Sequence, residues 1–232
     1  MPAKRALLVD ALGTLVELEP PWVRLRASLD DELPAERVEA AMRAEMRYYR
    51  WHSHEGRDAA SLADLRARCA AVLSRELGRD VGVDALMAAI RFTPYPDAAP
   101  ALDAARDRGL TTVCVSNWDA ALPDVLERCG LLGRLDAVVA SATAGARKPD
   151  PAIFAAALEL AGCGPADAIH VGDTPEEDVA GARAAGIDAL LLDRDSADVN
   201  AAAAAAEPDA KRRIRPEMVI ASLDQIDQYL GP

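Results

Sequence analysis

Aromatic residues are scarce, at 4% of the 232 residues: three Trp, four Tyr and two Phe. A core of this composition must be filled mostly by aliphatic side chains and alanine, and the 51% hydrophobic content allows a substantial one. Basic residues are also in deficit. Twenty-six Lys and Arg stand against 38 Asp and Glu, for a net charge of −12 and a pI near 4.7. Such a surface repels nucleic-acid backbones and anionic membranes, so neither is an expected partner. The plainest use of the charge is solubility. Only four cysteines occur, Cys69, Cys114, Cys129 and Cys163. None forms a CxxC pair, and no His/Cys cluster has zinc spacing. Reduced, mostly buried thiols in a cytoplasmic protein are expected. No apolar run is long enough to span a bilayer. The opening MPAKRALLVDALGTL meets an Asp after a short apolar run, which excludes a signal-peptide core.

The length suits one large α/β domain, or a core with a small insert. Short apolar runs, at residues 6–10, 111–116, 137–140, 169–173, 189–193 and 218–221, alternate with helix-period segments at 98–108, 120–129, 151–161, 175–185 and 223–230. The runs are mostly continuous rather than alternating, as expected of strands buried on both faces. The βαβα order predicts an α/β fold, a Rossmann-like three-layer parallel sheet core. From about residue 20 to 91 the alternation stops. That stretch reads as helices near 21–29, 35–50, 61–77 and 83–90, and TPYPDAAP (residues 93–100) marks the return. The predicted organisation is a core of residues 1–17 and 93–232 with an inserted helical cap domain of residues 18–92. The alanine run at 201–206 fits either a helix or a loose connection. No repeat of 20–50 residues is present.

In an open parallel sheet, ligands bind beyond the carboxyl ends of the strands, and four polar clusters fall there. Asp10-Ala11-Leu12-Gly13-Thr14 follows ALLV, which sets a carboxylate at the sheet edge, with Gly13 allowing a tight turn. Ser116-Asn117-Trp118-Asp119 follows TTVCV; it could donate to an anion or simply cap a helix. Lys148-Pro149-Asp150-Pro151 puts a cation just before a Pro-initiated helix. Gly172-Asp173-Thr174-Pro175-Glu176-Glu177-Asp178 follows AIHV and offers hard oxygen ligands of the kind Mg²⁺ prefers. An acidic first helical turn explains Glu176 and Glu177 equally well, but Asp173 less well, because it still lies on the predicted strand.

Taken together, the order of these clusters resembles the four motifs of the haloacid dehalogenase (HAD) superfamily. The resemblance runs over nearly the whole chain, and SNWD…KPDPAIF…HVGDTPEEDVAGARAAG carries it most specifically. The helical insert after the first strand matches the small helical cap of subfamily I. The start Asp10-x-x-Gly13-Thr14 is similar to that of REG-2-like members. The resemblance implies Asp10 as a nucleophile that forms a covalent aspartyl intermediate, with Lys148 as the second catalytic residue. It implies Mg²⁺ as cofactor, held by the Asp10 carboxylate, the Leu12 backbone carbonyl and Asp173, with Asp178 supporting directly or through water. Ser116, Asn117 and Trp118 would meet the substrate or its phosphate. Thr14 would fix the motif loop by hydrogen bonding, or be only structural. The expected partner is a small, phosphorylated molecule, and the protein a monomer or homodimer.

The sequence departs from the pattern at Leu12, where HAD phosphatases usually carry a second Asp that protonates the leaving oxygen and later activates water. General acid–base help of this kind is typically worth about 10²–10⁴-fold. Three readings follow: a phosphatase for substrates with good leaving groups, a 2-haloacid dehalogenase, and a weakly active or non-catalytic binding protein. Dehalogenases also lack the second Asp, but they work without metal and do not keep an acidic GDTPEED cluster. Substrate choice would lie with the cap, where Arg47-Tyr48-Tyr49-Arg50-Trp51-His52-Ser53-His54 could close over the core, or where Tyr48 and Trp51 could simply pack between helices. Arg43 or Arg50 could meet a substrate anion. His170, inside a strand, reads as structural.

Overall fold

The computed structural model describes residues 3–29, 33–194 and 218–231; the alanine run at 201–206 lies outside them. Six strands form one sheet. Strand β1 (Ala6–Val9) lies at its centre, with β4 (Thr111–Ser116) and then β5 (Ala137–Ala140) on one side. On the other side follow β6 (Ala168–Gly172), β7 (Asp188–Leu192) and β8 (Val219–Ile220). Every neighbouring pair is parallel. All six strands were expected from the apolar runs.

The pleat divides the core in two, because successive strand side chains point to opposite faces. Leu7 and Val9 pack on one face with Leu102 of α5 (Ala98–Asp107), Leu126 of α6 (Leu122–Arg128) and Ile226. Ala6 and Leu8 pack on the other with Ile153 and Phe154 of α7 (Pro151–Ala161) and with Val179. Both faces are thus covered by helices, the arrangement that parallel strands require.

Two segments read as plain helices have other forms. Pro175–Ala180 is a π-helical turn that runs into a short α-helix, Gly181–Ala184. Leu223–Tyr229 is a 3₁₀-helix capped by Ser222. Two three-residue strands escaped notice because so short a run carries no period. They are β2 (Val16–Leu18) and β3 (Phe92–Pro94), paired antiparallel where the chain leaves and re-enters the core.

Between them run α1 (Pro21–Ser28), α2 (Ala35–His52), α3 (Ala59–Leu77) and α4 (Val83–Ala89). Helix α3 starts before residue 61 because the Asp58 carboxylate accepts the Ser61 N–H, and the Ser61 hydroxyl accepts the Asp58 N–H in return. The four helices share a core of their own, including Leu25, Met42, Leu65, Leu73 and Leu86. Trp51 is not in it. It is 72% exposed, because it lies on the face of α2 opposite Val38, Met42 and Glu45, which are buried.

Candidate active site

Parallel register brings the strand ends to one edge. Val9 of β1 lies opposite Cys114 on one side and Val171 on the other, so Asp10, Ser116 and Asp173 leave the sheet side by side. The Asp10 N–H donates to the Val171 carbonyl at 2.9 Å, extending the ladder to the carboxylate residue itself.

The Asp10 side chain is buried, and its two oxygens differ. Oδ1 accepts from Ser116 Oγ at 2.9 Å and from Lys148 Nζ at 2.6 Å. Among the described residues Oδ2 accepts no hydrogen bond, so one oxygen is anchored and the other is available for chemistry. Lys148 Nζ also donates to Asp178 Oδ1. Asp178 is fully engaged: Oδ1 further meets His170 Nε2 at 3.0 Å, and Oδ2 accepts the Thr174 N–H at 3.0 Å.

One oxygen from each of Asp10, Asp173 and Asp178 lies within 4.8 Å of the others. Two glycines make this possible. Gly13 has φ of +80°, and a Cβ there would overlap the Asp173 carboxylate; a Cβ on Gly172 would overlap that of Asp178. Each carboxylate therefore packs directly against backbone.

The charges answer to this crowding. Burial alone would lower the Lys148 pKa, but Asp10 and Asp178 outweigh it and hold the ammonium above the usual lysine value. Burial pushes the Asp10 carboxyl up, against the pull of Lys148. Asp178 is also desolvated, yet Lys148 and His170 bring it below the usual carboxylate range. Asp173 is pushed up to about 7 by desolvation and by the negative charges of Asp10 and Asp178. Its side chain is exposed on one side, where water screens part of this effect. One lysine against three carboxylates leaves excess negative charge, which suits a divalent cation bound by oxygen.

Several residues singled out in the sequence take other positions. Asn117 is spent on the Lys148 segment: Nδ2 donates to the Lys148 carbonyl at 3.0 Å and to Glu177 Oε2 at 2.9 Å, and Oδ1 accepts the Lys148 N–H at 2.7 Å. It clamps the loop that carries the lysine. Trp118 was expected to meet the substrate or its phosphate. It is 6% exposed and packs against Phe92, with ring centroids 5.0 Å apart, because its large apolar ring is better accommodated in the core than at a polar edge. Thr14 is buried, but its hydroxyl has no hydrogen-bond partner among the described residues. Backbone bonds hold the loop instead: the Ala11 carbonyl accepts from Thr14, Leu15 and Val16. His52 pairs with Glu55 at 2.7 Å, and Arg43 with Glu39 on its own helix.

Three features were missed. His170 is buried against Asp178, so its place inside a strand conceals a direct tie to the site. Tyr49 of α2 donates its hydroxyl to Asp119 Oδ2 at 2.9 Å, and Ala120 N–H donates to the Gly56 carbonyl at 2.8 Å, which joins the helical segment to the loop after β4. Arg194, just past β7, reaches the loop after β1. Asp193-Arg194 is a fifth polar strand end, and inspecting every such end would have found it.

A family model described as haloacid dehalogenase-like hydrolase matches residues 4–186. The chain belongs to this family. Among curated relatives, it is 45% identical over 95 residues to bovine haloacid dehalogenase-like hydrolase domain-containing protein 3, covering 41% of this chain and 38% of that protein. It is 40% identical over 108 residues to phosphoserine phosphatase of Thermus thermophilus, covering 45% and 42%. The chain thus spans about two-fifths of the length of these relatives. Among solved structures, L-2-haloacid dehalogenase from Xanthobacter autotrophicus superposes with a TM-score of 0.69 over 98% of each chain, at 23% identity. That likeness shows a shared fold, and fold alone does not identify chemistry. Among the described residues no helix is long and apolar enough to cross a membrane, and the four cysteines are free thiols.

Proposed function

We propose that this hydrolase is a Mg²⁺-dependent phosphatase that acts on a small phosphorylated metabolite through an aspartyl-phosphate at Asp10. The observation that carries this reading is the gathering of Asp10, Asp173 and Asp178 around one point, with Lys148 bridging two of them. Mg²⁺ would be held by Asp10, the Leu12 carbonyl and Asp173. The carbonyls of residues 11, 13, 14 and 15 all accept hydrogen bonds, whereas among the described residues none is donated to that of Leu12. Asp178 would support the metal through water and Lys148, since protein donors already engage both its oxygens. When bound, Mg²⁺ screens the repulsion between an anionic nucleophile and an anionic phosphoryl group.

In the first step an Asp10 carboxylate oxygen forms a bond to phosphorus, and the bond from phosphorus to the leaving oxygen breaks. Ser116 and Lys148 hold Oδ1, which orients the nucleophile; Lys148 also offsets charge on the transferring group. Water then cleaves the aspartyl-phosphate, releasing inorganic phosphate and restoring the carboxylate. Leu12 can neither protonate the leaving oxygen nor activate the water. Substrates whose leaving group departs as a stable anion, such as acyl or aryl phosphates, suit this site best.

The segment of residues 18–92 would act as the cap over a core of residues 1–17 and 93–232, placing the chain with the subfamily I, REG-2-like members. The Tyr49–Asp119 bond ties that cap to the segment that carries Ser116. A cytoplasmic location fits the free thiols, and a monomer or homodimer is the expected assembly.

The test is a screen of alkyl, aryl and acyl phosphates and of 2-haloacids, with and without Mg²⁺, beside an Asp10→Asn control. The expected result is Mg²⁺-dependent phosphate release, fastest from acyl or aryl phosphates and absent in the control. Halide release from 2-haloacids in EDTA would replace this reading with dehalogenation, which Asp173 beside Asp10 disfavours. Phosphate release that survives in the control would remove Asp10 from the mechanism.

A further inference from the structure

The loop after β1 is a sharp turn: residues 14–16 donate back to the Ala11 carbonyl, the Gly13 N–H donates to the Val16 carbonyl, and Gly13 takes a positive φ. Backbone bonds within the turn satisfy the Ala11 carbonyl, and the Tyr95 N–H satisfies that of Leu15. The carbonyls of Gly13 and Thr14 point out of the turn. Buried carbonyls need partners, and both find the same one. Arg194 Nε donates to the Gly13 carbonyl at 3.2 Å, and Nη2 donates to that of Thr14 at 2.6 Å.

The guanidinium is itself held from two sides. Nη1 and Nη2 donate to the two oxygens of Asp97, each at 3.0 Å, in the paired geometry particular to arginine. Tyr95 lies beneath it, 3.7 Å from ring centroid to Cζ. Asp97 also accepts from Ser222 Oγ and the Leu223 N–H, both at 2.9 Å. Although burial acts against it, these donors keep the Asp97 carboxyl ionised below its ordinary range. Gly13, Tyr95, Asp173 and Arg194 line one small cleft of about 220 Å³.

We propose that Arg194 is a positioning residue for the nucleophile loop, fixing the Gly13 and Thr14 carbonyls so that the Leu12 carbonyl is the one presented to the metal. This rests on the proposed function, in which the Leu12 carbonyl is a ligand. Arg194 touches neither substrate nor metal; it acts through the backbone. Lysine could keep the charge, but with three N–H donors it could not make these four hydrogen bonds, two of them paired on one carboxylate.

Charge and positioning predict opposite signs. A cation lining the cleft beside Asp173 repels Mg²⁺, so removing it by charge alone would tighten Mg²⁺ binding. If Arg194 instead sets the loop, removing it weakens binding, and outer-shell partners of this kind typically contribute roughly 10–100-fold in metal affinity.

The experiment measures Mg²⁺ dissociation constants by titration calorimetry, without substrate, for the wild type, Arg194→Gln and Arg194→Lys. Hydrogen exchange over residues 10–16 follows the loop directly. The expected result is a dissociation constant at least about tenfold weaker in both variants, with faster exchange confined to residues 10–16 and to segments around Asp97 and Leu223. Millimolar ethylguanidinium should restore tight binding to Arg194→Ala. Unchanged or tighter binding in Arg194→Gln, or wild-type behaviour in Arg194→Lys, would overturn the assignment while leaving the phosphatase reading intact. A wild type that binds no Mg²⁺ would end both. If Arg194→Gln unfolds, Arg194→Lys and the exchange rates of its loop decide.

Discussion

The carboxyl edge of the sheet and the helical segment between β2 and β3 are built on opposite principles. At the edge the order comes from specific polar contacts: Asp10 Oδ1 has two donors, Asp178 three, and Asn117 uses both ends of its amide, while Asp10 Oδ2 and the Thr14 hydroxyl have no partner among the described residues. In the helices the order comes from apolar faces such as Val38, Met42, Leu65 and Leu73, while Arg43 and Arg68 pair with acids one turn away on their own helices. A dense polar network admits one arrangement, whereas an apolar helix face accepts many sequences of similar volume. The difference teaches that the polar edge is tightly specified by its contacts and the helical segment more loosely so.

The most severe way to break the comparison is Asp10→Asn. It should abolish covalent capture and reduce phosphate release to background, while leaving the packing of α1–α4 intact by circular dichroism. The opposite change, Leu12→Asp, supplies the missing acid and should raise turnover of alkyl phosphates by about 10²–10⁴-fold. No gain there, with Asp10 still essential, would make phosphoryl transfer the wrong chemistry. Lys148→Met leaves Asp10 and Asp178 buried without their cation. Breaking such a pair costs about 3–5 kcal/mol, measurable as a lower urea midpoint, whereas Arg43→Met on the exposed face of α2 should change stability by less than about 1 kcal/mol.

A subtler contrast lies in pH. The Asp173 carboxyl is raised to about 7 in the folded protein, against about 3.9 in an unfolded chain. Its contribution to stability is therefore fully present below about pH 4 and is lost as pH rises through 7. Mg²⁺ binds the ionised form. The rise in Tm on adding Mg²⁺ should be larger at pH 8 than at pH 5.5, and Asp173→Asn should flatten that difference. An equal rise at both pH values would remove Asp173 from the metal site. The smallest effect expected is from Tyr49→Phe, which deletes one bond between the two regions. It should lower stability by about 1 kcal/mol and shift KM more than kcat.

Much of the scaffold was legible because its signals are local. A run such as ALLV or AIHV between helix-period segments can bury both faces only in a covered parallel sheet, and all six runs became strands. The short β2 and β3 carry no such signal, and the π-helical turn at Pro175–Ala180 cannot be told from an α-helix by its spacing. At the edge, Asp10, Ser116, Lys148, Asp173 and Asp178 come together as their places at strand ends suggested. Trp118 and Asn117 did not follow, because a strand-end position does not say which way a side chain turns. Trp51 faces solvent where packing was an open choice, since its helix has only one apolar side.

The order of elements, and with it the edge from which the carboxylates project, was determined by the sequence alone, because apolar runs and their terminal residues act over a few neighbours. Only the tertiary structure decided which oxygen of Asp10 is engaged, that Asn117 serves Lys148, and that Arg194 grips the loop after β1. Those contacts join residues separated by 31 to 181 positions. Over such separations no local pattern specifies direction, and the packing of the whole chain must be in place before the partners can meet.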